Sequence, residues 1–122
     1  ETLRIVDDQV SNPTWARNLA EITAQVIAQG RADSLGYIAE NSGLYHLTDR
    51  GSCSRYEWAK KILELDPDKE DQLVRSIFPA KTVEFPTPAT RPLHSVLSLK
   101  KFQDTFHIPI PAWQESLALA MA

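Results

Sequence analysis

The spacing of apolar side chains along the chain predicts four helices. The longest covers residues 15–29, where apolar positions recur every three or four residues until Gly30, a residue type common just past a helix end. A second apolar stripe covers residues 55–65 and follows the Ser-x-x-Glu spacing of a capping box. Two shorter helices are predicted further on, one that ends at Phe106 and one over residues 112–122.

Three apolar runs predict short strands at residues 2–6, at residues 43–47 and within residues 73–83. The polar stretch 31–42 admits either a helical turn or a lid-like loop. Helices mixed with short strands, without the regular alternation of a complete parallel sheet, predict a small α/β domain of α+β-like character. The length of 122 residues fits one domain, residues 1–122, with a modest core that a neighbour would partly cover.

Composition excludes several classes of protein. Hydrophobic residues make up 43% and charged residues 24%, as in ordinary globular proteins. No window reaches the roughly 20 apolar residues of a membrane-spanning helix, and no signal peptide is expected at the start. The net charge of −3 argues against a general nucleic-acid binder. Cys53 is the only cysteine, which excludes an internal disulfide and fits a reducing, cytoplasmic setting.

The sequence lacks the motifs of catalysis and cofactor binding. It has four glycines, and none of them stands in a Gly-x-Gly-x-x-Gly loop or a phosphate-binding P-loop. No pair of cysteines, and no pair of histidines at helical spacing, offers a metal site. His46 is expected to pack within its strand, whereas the role of His94, in a proline-rich loop, stays open. We therefore expect no catalytic, cofactor-binding or metal-binding residue and no redox activity from this chain alone, which we interpret as one domain of a larger protein.

Two loops have the chemistry of ligand recognition. Gln9 lies between the first strand and the long helix, and its carboxamide suits a sugar hydroxyl or a base edge. Arg91 lies in a loop stiffened by prolines, where its guanidinium suits a diphosphate and equally well a neighbouring carboxylate. The adjacent Asp7 and Asp8 point in opposite directions, so one is expected to cap a turn and the other to face solvent. Trp15 is the tryptophan best placed to stack on a base, although packing is the commoner role.

Four sequence blocks carry a more specific signal than any single residue. In chain order they are V-D-D-Q-V-S-N-P-T at 6–14, G-L-Y-H-L at 43–47, F-P-T-P-A-T-R-P at 85–92 with Ser95 after it, and I-P-A-W at 110–113. Together they resemble the signatures of the dTDP-4-dehydrorhamnose reductases, across nearly the whole chain.

This resemblance implies a place among the extended short-chain dehydrogenase/reductases. Members reduce the 4-keto group of dTDP-6-deoxy-L-lyxo-4-hexulose with NADPH or NADH, and the product, dTDP-L-rhamnose, feeds bacterial cell-surface polysaccharide. An N-terminal Rossmann domain carries the cofactor and a Tyr-x-x-x-Lys pair, while the smaller C-terminal part, the only part matched here, binds the nucleotide-sugar. Tyr56 and Lys60 have the spacing of that pair but fall in the wrong domain, so Tyr56 is expected in the core and Lys60 in solvent.

The resemblance also selects candidate residues. The expected substrate-binding residues are Gln9, Arg91, Asp8, Pro13, Thr14 and Ser95. Arg91 is assigned to the diphosphate or nucleotide and Gln9 to the sugar or base, while the other four shape the loops. Some members dimerise through this region with a divalent cation, which raises the prospect of a homodimer with Mg²⁺, although no ligand for it is identifiable.

Two alternative functions stay open at this stage. The regulatory subunit of methionine adenosyltransferase has a related fold and acts through protein contacts. A reductase of the same family, acting on another nucleotide-linked deoxysugar, would share the same blocks.

Overall fold

The computed structural model describes residues 1–122 and contains five α-helices, four strands and one 3-10 turn. In chain order the elements are β1 (Thr2–Val6), β2 (Val10–Ser11), α1 (Ala16–Gln29), α2 (Ser34–Glu40), β3 (Cys53–Ser54), α3 (Arg55–Leu65), β4 (Ser76–Ala80), the 3-10 turn (Thr82–Glu84), α4 (Lys100–Phe106) and α5 (Trp113–Met121). This mixed architecture confirms the predicted fold class. None of the helices is both long enough and apolar enough to cross a membrane.

The strands form two small sheets. β1 and β4 pair in parallel, with Thr2 opposite Ser76 and Val6 opposite Ala80. β2 pairs antiparallel with β3 over two residues. On its other side, Val10 forms a parallel bridge with His94, the segment that follows the proline-rich loop. β2 therefore lies between two distant parts of the chain.

The two main helices begin and end where local sequence signals predict. α1 covers the expected residues apart from Trp15, which precedes its first turn, and the amide of Gly30 donates to the carbonyl of Ile27 at its end (3.1 Å). At the start of α3, Ser54 Oγ accepts from the amide of Glu57 at 3.1 Å, and Glu57 Oε2 accepts from the amide of Ser54 at 2.7 Å. This capping box satisfies two amides that have no partner within the helix.

Residues 43–47 correct one prediction, because they form no strand. Tyr45 packs its ring against Phe102 and Phe106, with centroids 6.5 and 4.9 Å away, so the apolar alternation is used for packing. No neighbouring strand supplies a backbone ladder, however, and Leu44 stays 77% exposed. His46, expected to be packed, is exposed as well.

The open choice at residues 31–42 is resolved by α2, a helix of seven residues capped by Asp33, whose Oδ1 accepts from the amide of Gly36 at 3.0 Å. Tyr37 of this helix packs against the apolar core. That core is formed by Ile22, Phe102, Phe106, Ile108 and Ile110, which come from α1, α4 and the segment after α4. The core is modest, since 14 of 122 residues are buried.

Candidate functional site

Gln9 and Arg91 line the same cavity, which we call the arginine cleft. Its volume is about 270 Å³, and its remaining lining residues are Val6, Arg55, Thr82, Phe85 and Thr87. A side cavity of about 140 Å³ is lined by Gln9, Arg55 and Arg91 again, and also by Ser95. Three of the residues selected from the sequence therefore meet at one place.

The convergence depends on the backbone of Val10. Its amide donates to the carbonyl of Leu93 at 2.8 Å, and its carbonyl accepts from the amide of Ser95 at 2.9 Å. These bonds hold the end of the proline-rich loop beside β2 and thereby bring Arg91 next to Gln9. Pro86, Pro88 and Pro92 restrict φ at their own positions in that loop, which limits the backbone conformations open to it.

Asp8 is not part of the cleft wall but orients a residue that is. Its Oδ1 accepts from the amide of Thr82 at 3.0 Å and from Thr82 Oγ1 at 2.7 Å, and these bonds lower the pKa of the Asp8 carboxyl below its usual value. Thr82 Oγ1 in turn accepts from Gln9 Nε2 at 3.1 Å. The Gln9 carboxamide is thus held by one N–H, which leaves its other N–H and its oxygen for a ligand.

The neighbouring Asp7 points the other way, as the alternation along a strand requires. Its carboxylate pairs with Lys81 at 2.8 Å, and this contact raises the pKa of the Lys81 ammonium. The expectation that one aspartate caps a turn is confirmed by Asp8, which accepts from the first amide of the 3-10 turn. The expectation that the other faces solvent is wrong, because Asp7 is held in an ion pair.

Arg55 was missed by the sequence reasoning, which treated it only as the first residue of a helix. Its amide donates to the carbonyl of Gln9 at 3.3 Å, and it lines the arginine cleft together with Arg91. The five ion pairs of the structure use other cations, namely Arg4, Arg17, Lys61, Lys81 and Lys100. Arg91 is therefore not paired with a carboxylate, which was the competing interpretation of this residue.

Pro13 and Thr14 lie outside the arginine cleft. They line a separate cavity of about 250 Å³, the Pro13 cavity, whose wall also includes Ser11, Cys53 and Arg55. Arg55 lines both this cavity and the arginine cleft, so the two are neighbours, and we refer to them together with the side cavity as the groove. The sequence blocks thus contribute to two parts of the groove and not to a single pocket.

The sequence of the whole chain, residues 1–122, matches the family model described as the RmlD substrate binding domain. The chain belongs to this family. It is 35% identical over 124 residues to a dTDP-4-dehydrorhamnose reductase of Burkholderia thailandensis, covering 99% of this chain and 41% of the relative. It is 34% identical over 117 residues to the reductase of that name from Escherichia coli K12, covering 93% and 37%.

Solved structures show the same likeness. A dTDP-4-dehydrorhamnose reductase from Clostridium acetobutylicum superposes with a TM-score of 0.77 at 34% identity, covering 97% of this chain and 37% of the solved one. The Bacillus anthracis reductase, solved in complex with NADP, gives a TM-score of 0.74 at 27% identity, covering 96% and 36%. The chain thus spans about two fifths of the length of these relatives.

In this RmlD substrate binding domain, a tryptophan pocket of about 150 Å³ adjoins the Pro13 cavity, with which it shares Pro13, Thr14 and Trp58. Its wall includes Trp15, Trp58 and Trp113 together with Pro13 and Thr14. Trp58 is 42% exposed, whereas the Trp15 ring has the guanidinium of Arg17 5.6 Å from its centroid. Trp58, which no sequence signal favours over Trp15, therefore presents the more open ring.

A buried polar network forms the floor of the tryptophan pocket. Asp49, 1% exposed, accepts from the amide of Trp15 at 3.1 Å and from Asn18 Nδ2 at 2.9 Å. Asn18 Nδ2 also donates to Ser116 Oγ at 2.7 Å, which ties α1 to α5. A carboxylate at a helix N-terminus is stabilised by the free amides and the helix dipole. No sequence signal distinguishes Asp49 from the other aspartates in loops.

Other reactive side chains near the groove have structural roles. Burial, followed by the charge of Glu57, raises the pKa of the Cys53 thiol to about 11, so it is protonated at neutral pH. Tyr56 is half-buried and Lys60 exposed, with the Lys60 ammonium 5.5 Å from the Tyr56 ring centroid. No three His, Cys, Asp or Glu side chains lie together as potential metal ligands.

Proposed function

We propose that residues 1–122 are the C-terminal substrate domain of a dTDP-4-dehydrorhamnose reductase. The intact protein reduces the 4-keto group of dTDP-6-deoxy-L-lyxo-4-hexulose with NADPH or NADH, giving dTDP-L-rhamnose. The observation that carries this proposal is the meeting of Gln9 and Arg91 in one cleft, in a chain whose relatives bear the name of this reductase. A free guanidinium beside an oriented carboxamide matches the diphosphate and hydroxyl groups of a nucleotide-sugar.

Within this domain each candidate residue has a distinct task. Arg91 binds the diphosphate, and Gln9 binds a sugar hydroxyl or the base through the groups that Thr82 leaves free. Asp8 keeps Gln9 in place, while Ser95 fixes the end of the proline-rich loop through Val10. Pro13 and Thr14 shape the next part of the groove. The domain therefore orients the substrate and excludes water from it.

The nicotinamide cofactor has no fitting site among these residues. Close approach of a dinucleotide to backbone usually requires glycines, and none of the four glycines lines the arginine cleft or its side cavity. When bound, the cofactor supplies the hydride. We assign its binding, and the proton donor, to an N-terminal Rossmann domain in the remainder of the protein, and Mg²⁺ at a homodimer interface is assigned to no residue.

A related reductase activity is the second candidate. The chain is 30% identical over 116 residues to a Streptomyces antibioticus protein named probable dTDP-4,6-dihydroxy-2-methyloxan-3-one 4-ketoreductase, covering 93% of this chain and 34% of the relative. Both activities need a dTDP-binding groove and differ only in the sugar. The reductase names of the relatives favour either over a regulatory subunit of methionine adenosyltransferase.

The test is to titrate the full-length protein with dTDP-linked 4-ketosugars in the presence of NADPH and to follow NADPH absorbance. We expect oxidation with dTDP-6-deoxy-L-lyxo-4-hexulose at a kcat/KM well above that for other dTDP-ketosugars. A higher kcat/KM for another sugar would support the second candidate. Unchanged absorbance with every dTDP-ketosugar would remove both.

A further inference from the structure

Arg55 occupies a central position in the groove. It lines the arginine cleft, the side cavity of that cleft and the Pro13 cavity, and no other residue is common to all three. Arg55 is therefore the residue at which these three cavities adjoin.

The position of Arg55 follows from the strand pairing around β2. One side of β2 pairs with β3, and Arg55 is the next residue after β3. The other side of β2 is bridged to His94, three positions after Arg91 in the sequence. The two arginines consequently approach the groove from opposite sides of the short strand that follows Gln9.

The backbone of Arg55 is fixed, while its side chain is free. Ser54 before it is 5% exposed and held in the capping box, and the Arg55 amide donates to the carbonyl of Gln9. Its guanidinium belongs to none of the ion pairs of the structure. Placement by a fixed backbone reduces the entropy that a ligand must remove on binding.

The carboxylates nearest to Arg55 and Gln9 along the chain are already satisfied by other donors. Glu57 accepts from the amide of Ser54 at 2.7 Å, and Asp8 accepts from Thr82. Neither guanidinium is in an ion pair, so both are available to an anionic ligand. A single carboxylate or monophosphate needs only one such guanidinium, whereas a diphosphate has an anionic group for each.

We propose that Arg55 is a second diphosphate-binding residue, so that Arg55 and Arg91 each hold one phosphate of the nucleotide-sugar, on either side of Gln9. This inference rests on the proposed function and names an additional residue that sets the affinity of the domain for the nucleotide-sugar. It assigns the middle of the groove to the diphosphate and the two ends to the groups attached to it.

The test is calorimetric titration of the full-length protein with dTDP, dTMP and thymidine. Arg55→Gln keeps most of the aliphatic stem but removes the charge. Arg55→Lys keeps the charge but not the planar guanidinium, which can donate two parallel hydrogen bonds. We expect Arg55→Gln to weaken dTDP binding about 10-fold or more, the size of one charge-assisted hydrogen bond, with Arg55→Lys intermediate. Thymidine binding should be unchanged in both, and Arg31→Gln, an exposed arginine outside the groove, should leave dTDP binding as it is.

The outcomes separate the inference from the function on which it rests. If the parent protein binds dTDP and Arg55→Gln binds it within twofold of the parent, Arg55 is not a diphosphate ligand and the proposed function stands. If dTMP loses equal affinity with Arg55→Gln and with Arg91→Gln, the assignment of one phosphate to each arginine is wrong. If the parent binds no dTDP and turns over no dTDP-ketosugar, the proposed function and the inference both fail.

Discussion

The orientation of Gln9 depends on a side chain that lies outside the cleft wall. Asp8 accepts two bonds from Thr82, and the same threonine hydroxyl accepts from Gln9. Hydrogen bonds linked in this way strengthen one another, because a hydroxyl that donates to a carboxylate is a better acceptor. A charged residue next to a binding site can thus contribute to recognition without touching the ligand.

The lowered pKa of Asp8 makes the stability of the folded domain depend on pH in the acid range. A carboxyl whose pKa falls on folding stabilises the folded state above its ordinary pKa of 3.8, and that contribution is lost as pH falls through the lowered value. We expect the Thr82 amide resonance of the full-length protein to titrate with a midpoint below 3.8. In Asp8→Asn the transition should be absent. A midpoint at or above 3.8 in the parent would contradict the bonded geometry.

Arg91 is expected to act on substrate affinity alone. In the full-length protein, Arg91→Ala should raise KM for the dTDP-sugar about 10-fold or more, because a charge-assisted hydrogen bond to phosphate is lost. The Kd for NADPH should change little, since we assign the cofactor to the remainder of the protein. Steady-state kinetics and cofactor titration measure the two, with Arg31→Ala as the matched exposed control. Equal KM values for the variant and the parent would remove Arg91 from the site.

At the scale of elements, the start of α1 is held by a side chain from another part of the chain. The helix has no acidic residue in its first turn and no capping bond from Trp15. The buried Asp49 takes that role and also accepts from Asn18, which donates to Ser116 on α5. One carboxylate therefore fixes both the helix end and the helix pair below the tryptophan pocket.

Asp49→Ala is expected to lower the free energy of unfolding by about 2 to 4 kcal/mol, because it leaves one buried and one partly buried N–H donor without their acceptor. Denaturant unfolding of the full-length protein measures the change. Asp104→Ala is the matched control, since Asp104 is exposed and pairs with Lys100 on the surface, where ion pairs contribute little. Equal unfolding free energies for the two variants would show that the network is not needed for stability.

At the scale of the whole molecule, the domain exposes more surface than its size requires. Its accessible area is 8508 Å², whereas a compact monomer of 13.7 kDa exposes about 6,600 Å². Part of the surplus lies at the sheet of β1 and β4, where Leu3 is 36% and Phe78 52% exposed. Parallel sheets are normally covered on both faces, so a two-stranded one in solvent is an incomplete unit.

The two edges of that sheet differ. The backbone amide of Asp7 donates to the carbonyl of Ala80. Because successive amides of a strand point to opposite sides, the amides of Arg4 and Val6 point away from β4 and are free to pair with another strand. The outer edge of β4 carries Pro79, which has no amide to donate. Another strand is therefore better accommodated beside β1.

We expect the remainder of the protein to cover the β1 edge. In the full-length protein the amides of Arg4 and Val6 should be protected from hydrogen exchange, whereas in isolated residues 1–122 they should exchange rapidly. The isolated domain should also show no NADPH oxidation. Equal protection in the two proteins, or turnover by the isolated domain, would contradict this view of the domain as one part of a reductase.

Local signals in the sequence determined the helices and the candidate residues. Apolar spacing and end signals placed α1 and α3 to within one residue, because helix bonds and caps join residues that are close in the chain. The four sequence blocks likewise pointed to Gln9 and Arg91. The fold class followed from the mixture of these elements.

Tertiary structure alone decided how these residues combine. A strand exists only where another strand supplies the ladder, which is why residues 43–47 form none despite their apolar alternation. The meeting of Arg55 with Arg91 depends on pairing on both sides of Val10, and the burial of Asp49 depends on contacts with α1 and α5. These contacts join residues that are far apart in the chain, so no local pattern in the sequence predicts them.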